Sequence, residues 1–225
     1  MKPLSRILVL VASLLMIGGF FFPVWSIELQ APQYPEGLGM KIWIDKLSGD
    51  IQIINGLNHY IGMKEIDASM FPEFTYMKYI LGALIGLGML TALFGKKPVL
   101  YTWFGLLVIA AAAGMYDFWA WEYDYGHNLD PRAAIIVPGM SYQPPLLGYK
   151  DLLNFRAGSF PDLGGYAIII GGIISAIVVI FEMMRKTKTE KAVIKINVPE
   201  ISFGRKTSVG LSSIALLFVI GFLML

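Results

Sequence analysis

Apolar residues in this chain gather in long runs separated by polar stretches, with little of the short helical or strand spacing of a water-soluble core. The runs cover residues 7–22, 79–94, 99–119, 166–181 and 209–225. Crossing the hydrocarbon of a bilayer takes about 20 largely apolar residues, with about 17 as the lower limit. The pattern therefore predicts an all-α membrane bundle of about five transmembrane helices. Its expected segments are a first span within 1–22, a long loop 23–76, and spans over 77–95 and 98–120. A second long loop 121–163, a span over 164–184, a polar linker 185–207 and a short fifth span over 208–225 follow.

The first run opens like a secretory signal, with Lys2 and Arg6 ahead of an apolar stretch. No small-x-small cleavage site follows. Gly18-Gly19-Phe20-Phe21-Phe22-Pro23-Val24-Trp25 places bulky aromatics where a membrane interface would accept them, so an uncleaved span is expected.

The two long loops carry a different pattern. Residues 41–45 and 50–54 alternate apolar and polar side chains around Ser48-Gly49, which predicts a β-hairpin. The second loop is rich in turn signals: Gly126, Pro131, Pro138-Gly139 and Pro144-Pro145. Both loops contain aromatics such as Trp43, Tyr60, Phe71, Tyr125, Tyr142 and Phe155, whereas disordered segments are poor in them. The expectation is a small mixed α/β extracytoplasmic cap, built by both loops on the helical base. Residues 192–198 also alternate, as a short strand or surface-lying segment near anionic lipid would, or as a docking strand for a cytoplasmic partner.

Composition agrees with the pattern. Of 225 residues, 56% are hydrophobic and 15% charged, and the mean hydropathy is +0.63. Ordinary soluble domains carry about 25% charged residues, so lipid must solvate much of this chain. The net charge of +2 is small, but its distribution is uneven. Lys2, Arg6, Lys96, Lys97, Arg185, Lys186 and Lys188 fall in the amino-terminal tail and the even-numbered turns, while the long loops are acidic. The positive-inside bias then places the amino terminus in the cytoplasm and both long loops in the periplasm of a bacterial inner membrane. No basic stripe interleaved with aromatics supports nucleic-acid binding.

Cysteine is absent, which removes disulfides, thiolate metal sites and cysteine nucleophiles. Imidazole and thioether remain, with two histidines and 12 methionines. His59 and Met63 are four apart and share a face on any helical turn. His127 and Met140 stand in the second loop. Together His59, Met63, His127 and Met140 are the candidate metal ligands, and a mixed imidazole–thioether set suits transient Cu(I). Core packing by methionine and ordinary hydrogen bonding by histidine are the alternative roles. Asp124 or Asp130 could orient His127, as carboxylates do behind metal-bound histidines; alternatively residues 123–131 form a hydrogen-bonded turn. No nucleophile elbow, HExxH or phosphate loop is present, so no enzymatic activity is expected.

Two stretches carry a family resemblance: Trp121-Glu122-Tyr123-Asp124-Tyr125-Gly126-His127-Asn128-Leu129-Asp130-Pro131, with Val137-Pro138-Gly139-Met140-Ser141-Tyr142-Gln143-Pro144-Pro145-Leu146. Ala31-Pro32-Gln33-Tyr34-Pro35-Glu36-Gly37-Leu38-Gly39-Met40 and Ile54-Asn55-Gly56-Leu57-Asn58-His59-Tyr60-Ile61-Gly62-Met63 agree with it. Over four spans and both loops the chain resembles small bacterial inner-membrane proteins associated with nitrous-oxide reductase maturation gene clusters. The resemblance implies an inner-membrane accessory protein for copper delivery to, or assembly of, a periplasmic copper enzyme. The copper enzyme, a copper-delivery lipoprotein or an ABC transporter would be its partners. A docking subunit without metal, or a quinol-to-cytochrome electron-transfer adaptor, are the other expectations.

Overall fold

The computed structural model describes residues 1–185. The predicted linker beyond Arg185, the alternating stretch 192–198 and the fifth span 208–225 lie outside the described residues. Four helical stretches are long and apolar enough to cross a membrane: Pro3–Phe21, Glu73–Phe94, Lys97–His127 and Leu163–Met184. The first is α1 (Pro3–Leu15) continued by the short α2 (Gly18–Phe21), and α3 (Ile51–Ile61) lies outside the spans. The others are α4 (Glu73–Phe94), α5 (Lys97–His127) and α6 (Leu163–Met184).

Successive spans run antiparallel, and the turn between α4 and α5 shows how the sequence enforces it. Gly95 closes α4 in the left-handed region at φ 63°, and Pro98 opens the first turn of α5. Glycine past a helix end and proline at a helix start are the residues each position favours.

Between lipid-embedded helices the hydrophobic effect offers no drive, and close approach of small residues replaces it. A β-carbon added to Gly171 would sit 2.8 Å from the Ala12 carbonyl of α1, and one on Gly165 2.1 Å from the Val24 carbonyl. Gly88 of α4 likewise admits Ser13 of α1 and the Trp103 ring of α5. Trp103 is buried and donates its indole N–H to the Leu84 carbonyl at 2.8 Å. Around it Val9, Met16, Leu81, Ile85, Leu100, Leu107, Val178 and Val179 form the bundle core.

At the end of the bundle holding residues 2–6 and 92–97, Glu182 of α6 is fully buried. Its Oε1 accepts from the Ser5 hydroxyl at 2.7 Å and the Lys2 amide at 2.9 Å. Lys97 and Arg185 stand 3.6 and 3.7 Å from its Oε2. Arg6 donates to the Ala92 and Leu93 carbonyls at the end of α4.

The opposite end carries a five-stranded antiparallel sheet in the order β3-β2-β1-β5-β4. Its strands are β1 (Trp25–Ala31), β2 (Tyr34–Ile42), β3 (Leu47–Gly49), β4 (Gly148–Leu152) and β5 (Phe155–Pro161). The central pairing joins the two long loops: β1 runs against β5 from Trp25↔Pro161 to Gln30↔Arg156. Lys41 of β2 reaches the Asp162 carboxylate at 2.6 Å, tying the sheet to the start of α6.

Two sequence expectations fail here. The hairpin does not pair 41–45 with 50–54. β2 ends at Ile42, the chain turns with Trp43 N–H donating to the Lys46 carbonyl, and β3 pairs back on Met40–Ile42. Residues 51–61 are instead helical, with Ile51, Ile54 and Leu57 on the cap core. A three-to-four residue apolar period, ended by Gly62 at φ 78°, outweighs the short alternation over 50–54. The second correction concerns the boundary at 121, because α5 continues to His127 and the expected turn over 123–131 begins only at Asn128. Phe118, Trp121 and Tyr125 keep the helical period and pack against Ile27, Leu38, Met40, Ile54 and Ile66. At about 1.5 Å per residue the 31-residue helix is about 46 Å long. A hydrocarbon core is about 30 Å thick, so α5 is longer than a span needs, and its last turns pack on the sheet unit.

Candidate functional site

The ends of α3 and α5 meet beside the sheet. The Asp130 amide donates to the Gly62 carbonyl at 2.8 Å, and the Ile135 amide to the Tyr60 carbonyl at 2.9 Å. The Tyr142 amide donates to the Gly126 carbonyl at 2.9 Å. Gly62 tolerates no side chain here: an added β-carbon would lie 2.9 Å from the Asp130 carbonyl oxygen.

All four candidate ligands flank this junction. His59 is exposed in the last turn of α3, edge-on to Tyr60, and acts electrostatically on Asp130. Met63 follows Gly62 and packs, half-buried, on the cap core. His127 ends α5 with its ring stacked on Tyr123, centroids 4.0 Å apart, and its Nδ1 2.9 Å from the Tyr123 carbonyl. A carbonyl only accepts, so Nδ1 donates in this bond and Nε2 is the nitrogen left to serve as a ligand. Met140 closes a turn with its amide on the Val137 carbonyl, two residues before the Tyr142–Gly126 bond. Each of the four thus lies within two residues of one of these backbone bonds. Among the described residues, however, no hydrogen bond or ring contact links the two imidazoles. Nor do three or more His, Asp or Glu form a group that could hold a metal, so a site here needs the thioethers.

The carboxylates expected to orient His127 are engaged elsewhere. Hydrogen bonds from Lys64, 2.5 Å away, and from Asn128 hold Asp124 below the ordinary carboxylate range. Arg132 does the same for Asp130, which accepts from its side chain and its amide. The backbone carbonyl of Tyr123 fixes the imidazole instead. Asp130 and Arg132 form a hydrogen-bonded turn, but only at the far edge of the stretch 123–131 given that alternative reading, because residues 123–127 are helical.

Two features of α5 were not singled out in the sequence. Tyr116, Trp119, Tyr123 and His127 form an exposed column, successive centroids 6.0, 5.5 and 4.0 Å apart. Their spacing of three, four and four residues is a helical-face signal, legible once the helix is known to run through 127. The other feature is Glu122, fully buried on the face turned to the sheet unit, with neither carboxyl oxygen hydrogen-bonded among the described residues. Burial pushes its carboxyl up to about 8, against the opposing pull of Lys150. In the sequence it reads as one more acidic loop residue, because a loop and a helix end differ only in what packs on them.

Comparison with family models, with curated proteins and with solved structures finds no match to this chain.

Proposed function

We propose that the protein is an inner-membrane accessory protein whose periplasmic sheet unit assists copper delivery to, or assembly of, a periplasmic copper enzyme of the nitrous-oxide reductase type. The observation that carries this reading is the junction of α3 and α5. Two backbone hydrogen bonds, from Asp130 to Gly62 and from Ile135 to Tyr60, hold residues some seventy positions apart, and His59, Met63, His127 and Met140 each lie within two residues of these bonds or of the Tyr142–Gly126 bond. The exposed His127 Nε2 and the exposed His59 ring are available as ligands. Met63 and Met140, both half-buried, would supply soft sulfur by small rotamer changes. Such a set suits brief holding of Cu(I) and transfer to a partner better than permanent retention.

The experiment is a Cu(I) titration of the purified full chain against a competing chromophoric chelator. The proposal expects one equivalent bound, with affinity falling at least about tenfold in His59→Ala and His127→Ala, since even loss of a group that only orients a ligand costs about 10–100-fold. Wild-type protein that never competes for Cu(I), or variants that bind as well as wild type, would remove the copper reading. The exposed aromatic column on α5 favours a second reading, a docking subunit that binds its partner without metal. In that case partner co-purification survives both histidine substitutions and is lost on replacing Trp119 and Tyr123 with alanine.

A further inference from the structure

The sheet has two edges, and only one is long enough to template another strand. β3 has three residues and leads at once into α3, whereas β4 runs five residues in unbroken register with β5, from Gly148↔Ser159 to Leu152↔Phe155. Hydrogen-bonded and open pairs alternate along an antiparallel ladder, and the Asp162 amide, donating to the Val24 carbonyl at 3.1 Å, sets the phase. Residues 156, 158 and 160 of β5 therefore bond to β1, and 155, 157 and 159 bond to Leu152, Lys150 and Gly148 of β4. The amides and carbonyls of Tyr149 and Asp151 point off the sheet, and among the described residues no backbone hydrogen bond reaches them. Proline and bulges, which blunt free edges elsewhere, are absent from β4. Its lysine is turned back, with the Lys150 ammonium on the Gln143 carbonyl at 3.0 Å. Tyr149 lines up with Gly158 and Glu28, and Asp151 with Arg156 and Gln30, on the face opposite to Ile27 and the cap core. The Tyr149 ring is fixed there, edge-on to Phe160 at 4.9 Å and 4.6 Å from the Arg156 guanidinium. Asp151 has Arg156 3.9 Å away, and its side chain is 83% exposed.

We propose that β4 is a docking strand: an extended segment of a water-soluble partner protein adds to it antiparallel, with an arginine or lysine opposite Asp151 and an apolar side chain opposite Tyr149. In such strand addition the main chain supplies affinity and alternate side chains supply specificity. Tyr149 and Asp151 would each exchange both backbone bonds with the incoming strand, and the two facing residues would lie two apart on one face of it. Charge selects the cation. Asp151 is loosely paired and open to water, and opposite charges facing across strands are favourable where like charges are not. The surroundings reinforce this, because residues 23–72 and 121–162 hold eleven aspartates and glutamates against six lysines and arginines. A second copy of the chain does not fit the edge. β1 runs out of the first span and β5 runs into α6, so the strands lead away from the bundle and back to it. Antiparallel pairing of β4 with its own copy needs a two-fold axis across the strands, which would invert one copy in the membrane. The inference stands on the sheet edge and does not depend on copper binding.

The test uses the full chain in lipid nanodiscs and a fluorescein-labelled peptide, Thr-Thr-Arg-Thr-Val-Thr-Thr, followed by anisotropy. Saturable binding below millimolar concentration is expected. N-methylation of the arginine and valine amides, which would face β4, should weaken it about tenfold or more, since each removes a main-chain bond. N-methylation of the central threonine amide, which would face away, should leave it unchanged. Exchanging the arginine for glutamate should weaken binding severalfold, and Asp151→Lys should reverse that preference. Asp151→Pro removes only an N–H that points off the sheet, so it should abolish binding while the unfolding midpoint of the chain is kept. The Asp151→Lys reversal carries the test by itself if the proline variant fails to fold. No saturable binding, equal loss from either pattern of N-methylation, or no change of preference in Asp151→Lys would each overturn the proposal. So would disulfide-linked dimers of Tyr149→Cys, in a chain with no other cysteine, because they would assign the edge to a second copy.

Discussion

Replacing Glu182 with alanine should destabilise the helical bundle by about 3 kcal/mol, a size that follows from the groups left behind. The carboxylate is fully buried and accepts two hydrogen bonds through one oxygen, from Ser5 at 2.7 Å and from the Lys2 amide at 2.9 Å. Hydrogen bonds to a charged acceptor contribute about 1.5–3 kcal/mol each. The pairings with Lys97 and Arg185 add less, since those side chains are 25% and 44% exposed and water screens them. Truncating one member of a buried, hydrogen-bonded charge cluster costs about 3–5 kcal/mol, and the exposed cations move this case to the lower end. Glu182→Gln keeps an acceptor for Ser5 and Lys2, and should cost only about 1 kcal/mol. Ser5→Ala should cost about 1 kcal/mol in wild type and almost nothing in Glu182→Ala, because the two groups act through one bond. Reversible unfolding of the full chain in mixed micelles with rising dodecyl sulfate, followed by tryptophan fluorescence, measures all four variants. A Glu182→Ala cost below about 0.5 kcal/mol, or a Ser5→Ala cost equal in both backgrounds, would refute the assignment of Glu182 as the tie between the helix ends.

Two further outcomes follow from the geometry. Burial raises the Glu122 carboxyl from 4.5 to about 8, so the folded state binds the proton more tightly than the unfolded chain does. Its contribution is then fully present below about pH 4.5 and is lost as pH rises through about 8, at no more than about 1.4 kcal/mol per pH unit. Glu122→Gln should flatten this slope in chemical unfolding followed across that window, and an unchanged slope would contradict the burial argument. Gly165→Ala should cost about 1–3 kcal/mol, because the new methyl meets the Val24 backbone carbonyl at 2.1 Å and no flexible side chain is there to yield. Gly105→Ala, where an added β-carbon meets nothing within 4 Å, should be near neutral, both variants being compared in the dodecyl sulfate unfolding assay.

Among the described residues the four long apolar helices were legible from the apolar runs alone, because their length and lack of charge suit a bilayer. The turn at 95–98 was equally local, set by one glycine and one proline. Residues 51–61 and 121–127 were decided by tertiary contact. A few residues of alternating or mixed polarity are compatible with strand, turn or helix until a partner surface selects one. Here the apolar face formed by β1 and β2 selects helix for both. The same contact buries Glu122 and leaves Tyr123 exposed, though the two are adjacent in the sequence and both polar. Pairing of β1 with β5 across more than a hundred residues had no signal in either strand, since backbone hydrogen bonds are the same for every sequence. That the loop after α5 lies beside the end of α3, through Asp130 to Gly62 and Ile135 to Tyr60, likewise joins residues with no local signal for each other.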